Sequence, residues 1–372
     1  MAIVFTKTDL DLAQPLSPSQ GLVVLQSYPK SGNTWTRLFF YALQSRSAEI
    51  DFDHFSKNIS TIDAYKGHFA SVTGQDPSLL NLDDVVANIP MVQKYLALRA
   101  TGREVVKSHT LNGAYSGKPT MNFSVIRSVI YVIRNPLDVA ASYAAHMGFG
   151  VDDAIQAMAT SMHWLRASSA DQQVAANQVP QLLGSWSEHV ASWTGAPDAR
   201  LTVVRYEDMK KDSVTQFKRM VDGLGMRKTR AEVAQAVEKT DFAKLQKQEE
   251  ERGFTEAAQG QRFFRKGETD SWRDELSDDQ AKQIIRDHAF QMNRFGYIPE
   301  EYHDFAKGVI ADSQTAKQFI QQAKRVQQTQ AKNIKRRAKP GKNKSGASQQ
   351  VAVPRSSVMF PSANKTFDPT KR

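Results

Sequence analysis

Four short runs of β-branched and apolar residues stand out along the chain: Leu22–Gln26, Glu104–Lys107, Ser128–Ile133 and Leu201–Arg205. Their length and composition predict strands. Between them the hydrophobic period lengthens to that of a helix. Thr34–Leu43 sets Trp35, Leu38, Phe39 and Ala42 at i, i+3, i+4 and i+7. Pro136–His146 opens with Pro just inside a helix start, and Gln181–Trp193 is a further amphipathic segment. Strands spaced by helices predict an α/β fold, a central parallel sheet flanked by helices. Such sheets bind ligands in the crevice beyond the carboxyl ends of their strands. The residues that follow each strand are therefore where chemistry is expected.

Composition narrows this picture. With 372 residues, 40% apolar and 24% charged, the chain is expected to be soluble and globular, in one large domain or two ordinary ones. No apolar run approaches the roughly 20 residues that span a bilayer. The first residues lack a basic stretch followed by an apolar core, so no secretory leader is expected. Cys is absent, which excludes disulfides, thiolate catalysis and thiolate metal sites. The cytoplasm is the expected address. The net charge of +10 is unevenly placed: residues 317–372 carry nine Lys and five Arg against one acid, Asp368, so the rest of the chain is mildly acidic. Three regions are expected: a catalytic domain over 1–305, a basic and helical extension over 306–339, and a disordered basic tail over 340–372. Within the extension, Ser313–Lys339 has the helical pattern. The tail is a candidate for contact with nucleic acid or another polyanion.

Candidate chemistry lies at four places. The loop Ser27–Thr34, within "VVLQSYPKSGNTWTRLFF", joins a strand end to a helix start, where backbone N–H groups and the helix dipole favour an anion. The spacing GxxxxGK[ST] is missing, because Lys30 precedes Gly32. After the second strand, Lys107 and His109 are two apart and so share one side of an extended segment. An imidazole there suits a general base. The third strand ends in Arg134, where an ATP-using enzyme of this architecture carries a Mg²⁺-binding Asp. Ser142 follows two helical turns later, and a cation with a hydroxyl makes a phosphate grip without metal. The fourth place is Arg265-Lys266-Gly267, two cations before a residue whose backbone a ligand can approach closely. Each also has an ordinary reading: an exposed Lys, a strand-end His satisfied by hydrogen bonds, a surface Arg134–Asp138 ion pair and a solvated basic turn.

Together these segments resemble one family, the cytosolic-type sulfotransferases that use 3′-phosphoadenosine 5′-phosphosulfate (PAPS). "YPKSGNTW" is similar to the family's 5′-phosphosulfate loop, YPKSGTTW, and "RNPLDVAASY" to its 3′-phosphate segment. "KSH" resembles its lysine and histidine pair, "VVRYEDM" its adenosine-side strand, "KTDF" a further adenine contact, and "RKG" the start of its late glycine motif. The resemblance runs in family order from about residue 20 to 300. It implies a P-loop-like phosphosulfate-binding loop and a set of roles. Lys30 would stabilise the leaving phosphate, and Ser31, Gly32, Asn33 and Thr34 would bind the 5′ phosphate. Arg134, Ser142, Arg265, Lys266 and Gly267 would hold the 3′ phosphate. Trp35 and Phe242 would sandwich adenine, with Tyr206 and Thr240 at its edge. His109 would be the base on the acceptor, and Lys107 would assist at the sulfonate. No metal is expected.

The chain departs from the pattern at Asn33, where the family has Thr, and at Asp270-Ser271-Trp272, where the late motif continues Gly-Asp-Trp. Asp51–Ala100 and Phe149–Val179, the acceptor region by position, show no assignable pattern. The implied reaction is sulfuryl transfer from PAPS to a hydroxyl or amine of a small molecule or glycan. Two other readings stand beside it: a P-loop nucleotide kinase, and a non-catalytic protein that binds polyanions through its tail.

Overall fold

A computed structural model describes residues 16–47, 49–58, 61–166, 177–195, 198, 200–254, 256–257 and 262–312. Both the expected helix over Ser313–Lys339 and the basic tail lie outside the described residues. The chain divides into two compact units, Met1–His288 and Ala289–Arg372.

In the first unit five parallel strands form one sheet: β1 Gly21–Ser27, β2 Thr61–Ile62, β3 Arg103–Ser108, β4 Ile126–Ile133 and β5 Leu201–Arg205. Their order is β2-β3-β1-β4-β5. All four predicted strands are present. β1 lies in the middle, paired on both sides, and all seven of its residues are buried. That is why its sequence reads as a continuous apolar run rather than an alternating one. The edge strand β2 is only two residues long, facing Val106 and Lys107, and is too short to leave a pattern.

The helices that bear on the site are α1 Asn33–Gln44, α2 Leu82–Arg99, α3 Pro136–Met147, α4 Trp186–Thr194, α5 Tyr206–Lys211, α6 Arg230–Lys239 and α7 Phe242–Arg252. Leu38, Phe39 and Ala42 of α1 share a buried cluster with Val23 and Leu25 of β1, Ile130 and Val132 of β4, and Phe217. The Phe39 and Phe217 rings stack with centroids 4.0 Å apart. The expected helix over Gln181–Trp193 is corrected at its start. Gln181–Leu182 pairs with Trp164–Leu165 in a small antiparallel ribbon. Gly184, at φ +65°, then reverses the chain, and α4 begins after a capping box of Ser185 and Glu188.

The second unit, described to Asp312, contains the end of the helix Asp278–Phe295, a 3-10 turn at Glu300–Tyr302 and a helix at His303–Asp312. Among the described residues, no helix is long and apolar enough to cross a membrane.

Candidate active site

The β1–α1 loop is shaped by two left-handed residues, Lys30 at φ +64° and Gly32 at φ +101°. A side chain on Gly32 is sterically forbidden, since its Cβ would lie 2.7 Å from the Tyr206 ring. Asn33 opens α1 but turns its amide inward, donating to the Leu25 carbonyl at 2.9 Å and the Ser27 hydroxyl at 3.3 Å. It thereby clamps the loop to β1. The Ser31 hydroxyl and the Trp35 indole N–H are buried without a hydrogen-bond partner among the described residues. Lys30 Nζ lies over the Phe263 ring, 4.7 Å from its centroid. Burial, with Arg134 and Lys107 nearby, lowers the Lys30 pKa to about 8.

Arg134 immediately follows β4 and donates to two carbonyls, that of Lys30 at 3.1 Å and that of Glu268 at 2.9 Å. Its guanidinium sits over the Tyr206 ring at 4.5 Å, and its Nε has no hydrogen-bond partner among the described residues. Arg134 thus links the first loop to the late glycine loop rather than pairing with Asp138. The Asp138 carboxylate, buried within α3, accepts the backbone N–H groups of Asp270 and Trp272 at 3.0 and 3.1 Å and the Ser271 hydroxyl at 3.3 Å. This accounts for the altered late motif. Asp270 has φ +62°, the conformation a Gly takes without strain, and Asp138 holds it there. Ser142 lies further along α3, half-buried.

Gly267 is also left-handed, at φ +62°, and a Cβ on it would come within 2.2 Å of the Phe242 ring. Its carbonyl accepts the Tyr206 hydroxyl at 2.9 Å. The structure therefore gathers Gly32 and Arg134 against Tyr206, and Gly267 between Tyr206 and Phe242. Arg265 and Lys266 are exposed and share Glu275, each at 2.9 Å. Thr240 is different: its hydroxyl is buried and bonds back to the Val237 carbonyl at the end of α6.

His109 lies just beyond β3 and is 7% exposed. Its Nδ1–H donates to the Ser27 carbonyl at 2.7 Å, which leaves Nε2 with a lone pair. Burial, together with the neighbouring Lys107 charge, lowers its pKa well below the usual imidazole value, so the ring is neutral at physiological pH. Behind it, His189 Nε2 contacts the His109 carbonyl at 3.0 Å, and the Tyr131 hydroxyl meets His189 Nδ1 at 2.8 Å.

Four further residues escape the sequence reading. Glu256 accepts the Thr34 hydroxyl at 3.1 Å and pairs with Arg37. His146, one turn beyond Ser142 on α3, lies within charge range of Lys30 and Lys107, and burial chiefly lowers its pKa to about 3. Asp138 completes the set. The one available signal was Arg37, a charge beside the apolar stripe of α1.

The parallel sheet thus sets the β1–α1 loop, Arg134 and a neutral His109 at the carboxyl ends of its strands, an arrangement suited to group transfer. Residues 21–296 match the family model of the sulfotransferase domain. The chain belongs to that family, and its activity is transfer of a sulfuryl group. It is similar to rat sulfotransferase 2A2, 28% identical over 190 residues that span 48% of this chain and 60% of that protein. Mouse sulfotransferase 2A2 is 22% identical over 293 residues, 74% of this chain and 85% of that protein. The crystal structure of a mouse sulfotransferase complexed with PAP aligns with a TM-score of 0.47 and 19% identity, covering 79% of this chain and 88% of that one.

Proposed function

We propose that the enzyme takes its sulfuryl group from PAPS and delivers it to a hydroxyl or amine of a small molecule or glycan, leaving adenosine 3′,5′-bisphosphate. The observation that carries this reading is the bridge from Lys30 through Arg134 to Glu268, which joins two basic loops at a fixed separation. A nucleotide with anions at both its 5′ and 3′ ends requires such a pair of sites.

The residues present fit the donor. Ser31, Trp35 and Arg134, in or beside the loop, carry buried donors that have no partner among the described residues, and Gly32 admits no side chain. PAPS supplies an activated sulfuryl group on a phosphate leaving group. Lys30, Ser31, Gly32, Asn33 and Thr34 hold its 5′ end, with Lys30 balancing charge on the departing phosphate. Arg134, Ser142, Arg265, Lys266 and Gly267 take the 3′ phosphate. Trp35, Tyr206 and Phe242 form the adenine wall, with Thr240 supporting its edge. His109 Nε2 accepts the acceptor proton, and Lys107 neutralises the sulfonate. Arg265 and Lys266 exchange Glu275 for the 3′ phosphate.

The catalytic region is assigned to 1–305, followed by a basic extension over 306–339 and a tail over 340–372 directed at polyanions. A cysteine-free chain of this kind is assigned to the cytoplasm. Thermal-shift titration with adenosine 3′,5′-bisphosphate against ATP with Mg²⁺ tests the donor, since a ligand of the native state raises stability as RT ln(1 + [L]/Kd). Preferential stabilisation by ATP with Mg²⁺ rejects this reading in favour of a kinase.

A further inference from the structure

Arg37 has an environment that the reaction so far leaves unused. It lies three residues beyond Thr34 on α1, and its guanidinium is fully buried, 5.0 Å from the centre of the Phe55 ring. Glu256 is its one ion-pair partner among the described residues, reached through Nη2. Nε and Nη1 are buried with no hydrogen-bond partner among the described residues. A buried guanidinium with two idle donors costs several kcal/mol unless something completes it.

Glu256 is not a settled partner either. Its other oxygen takes the hydroxyl of Thr34, a group assigned above to the 5′ phosphate. Its carboxyl is held below the usual range, against the effect of burial, by Arg37, Lys107, Thr34 and Lys30. A side-chain carboxylate therefore sits among the cations at the reacting centre, next to the loop that receives an anionic donor. Once Thr34 turns to the phosphate, Glu256 loses one of its two bonds and gains a like-charged neighbour. Replacing it on Arg37 by a carboxylate from outside leaves the local charge unchanged. Such a ligand brings two oxygens for the guanidinium fork, which suits bidentate pairing.

We propose that Arg37 is the specificity-determining residue for the acceptor, binding a carboxylate of an acidic hydroxylated compound where Glu256 stands in this structure. The inference rests on the donor reading above and adds the acceptor's chemical class. His109 serves the hydroxyl of that compound, and Arg37 its acid group. Phe55 packs against the guanidinium and gives that end of the site an apolar wall.

The test uses the full chain saturated with adenosine 3′,5′-bisphosphate, with affinity measured for 4-hydroxybenzoate, its neutral counterpart 4-hydroxybenzyl alcohol, and tyramine. The carboxylate is expected to bind at least about tenfold more tightly than the alcohol, the scale of one charge-assisted hydrogen bond. Arg37→Gln should bring that ratio close to one while the bisphosphate still binds. Glu256→Gln, which keeps Arg37 and removes its competitor, should raise affinity for 4-hydroxybenzoate, and this arm decides the matter if Arg37→Gln does not fold. Equal affinities, no binding of 4-hydroxybenzoate, a preference that survives Arg37→Gln, or an unaltered Glu256→Gln enzyme overturns the proposal. Tightest binding of tyramine also overturns it, because Glu256 would then be reading a cation. A parent enzyme that fails to bind the bisphosphate sinks the donor reading, and is recognised before any acceptor is added.

Discussion

The Ser27 carbonyl accepts the Nδ1 proton of His109 at 2.7 Å, and this bond leaves Nε2 as the nitrogen able to accept a proton. A carbonyl has no proton to give, so the tautomer is fixed with the lone pair on Nε2. His109→Ala should reduce turnover by ~10²–10⁴ while leaving bisphosphate affinity unchanged. The acid limb of the rate profile should lie well below pH 6.5, because burial holds the imidazole neutral there. Single-turnover rates from pH 4.5 to 8 check both. An acid limb at 6.5 would show an unshifted group at work.

Lys30 sets an alkaline limit on the donor. Its pKa is lowered to about 8, first by burial and then by Arg134 and Lys107. The protonated form attracts the nucleotide, so affinity should be full near pH 7 and weaken as pH rises through 8. Lys30→Arg, which does not titrate in this range, should flatten the dependence. Isothermal titration at pH 7, 8 and 9 measures it, and a pH-independent affinity in the parent enzyme would contradict the assignment.

Asp138 should matter to the 3′ phosphate without touching it. Asp138→Asn removes one accepting oxygen from the three bonds that shape Asp270, Ser271 and Trp272. Stability should fall by roughly 1–3 kcal/mol, the cost of a buried bond lost. Adenosine 3′,5′-bisphosphate should lose more affinity than adenosine 5′-phosphate, which does not engage the late loop. Equal losses for the two nucleotides would mean that Asp138 supports the fold alone.

Acid should destabilise this protein early. Burial lowers the imidazole of His68 to about 4 and those of His189 and His288 to about 3, beside His109 and His146. A depressed pKa gives stability that is present above about 6.5 and lost as pH falls towards the folded value. Each fully buried ring loses roughly 1.4 kcal/mol per pH unit in that window. Asp63 acts in the opposite sense, since burial raises it to about 6 and its contribution is lost as pH rises through that value. Burial also raises Asp138 and Asp287 and lowers His163; six depressed rings outweigh three raised carboxyls, so the melting temperature should drop from pH 7 to 5. A flat profile across that interval would refute the burial of these imidazoles.

The legible parts of this molecule are those where one local cause decides the outcome. Leu201–Arg205 appears as a strand at the predicted residues because an apolar β-branched run leaves the backbone little choice. Lys30, His109 and Arg134 were visible as chemistry because each follows a strand end. The start of α4 was missed because Gly184 and Ser185 interrupt the run whose apolar period continues across them. Arg37 with Glu256, and Asp138 with Asp270, were invisible for another reason. Their partners lie 219 and 132 residues away along the chain, and no local pattern encodes such a meeting.

The bridge through Arg134 also sets a timetable for synthesis. A chain made from its N-terminus exposes the loop at Lys30 early, gains Arg134 later, and receives Glu268 last. Until Glu268 has joined the folded body, the guanidinium has one carbonyl instead of two, and the Asp138 carboxylate has no turn to hold. A message that ends before Glu268 therefore yields a chain that lacks the second loop of the proposed nucleotide site. Capture by immobilised adenosine 3′,5′-bisphosphate is therefore expected to retain finished molecules over chains that stop short of Glu268.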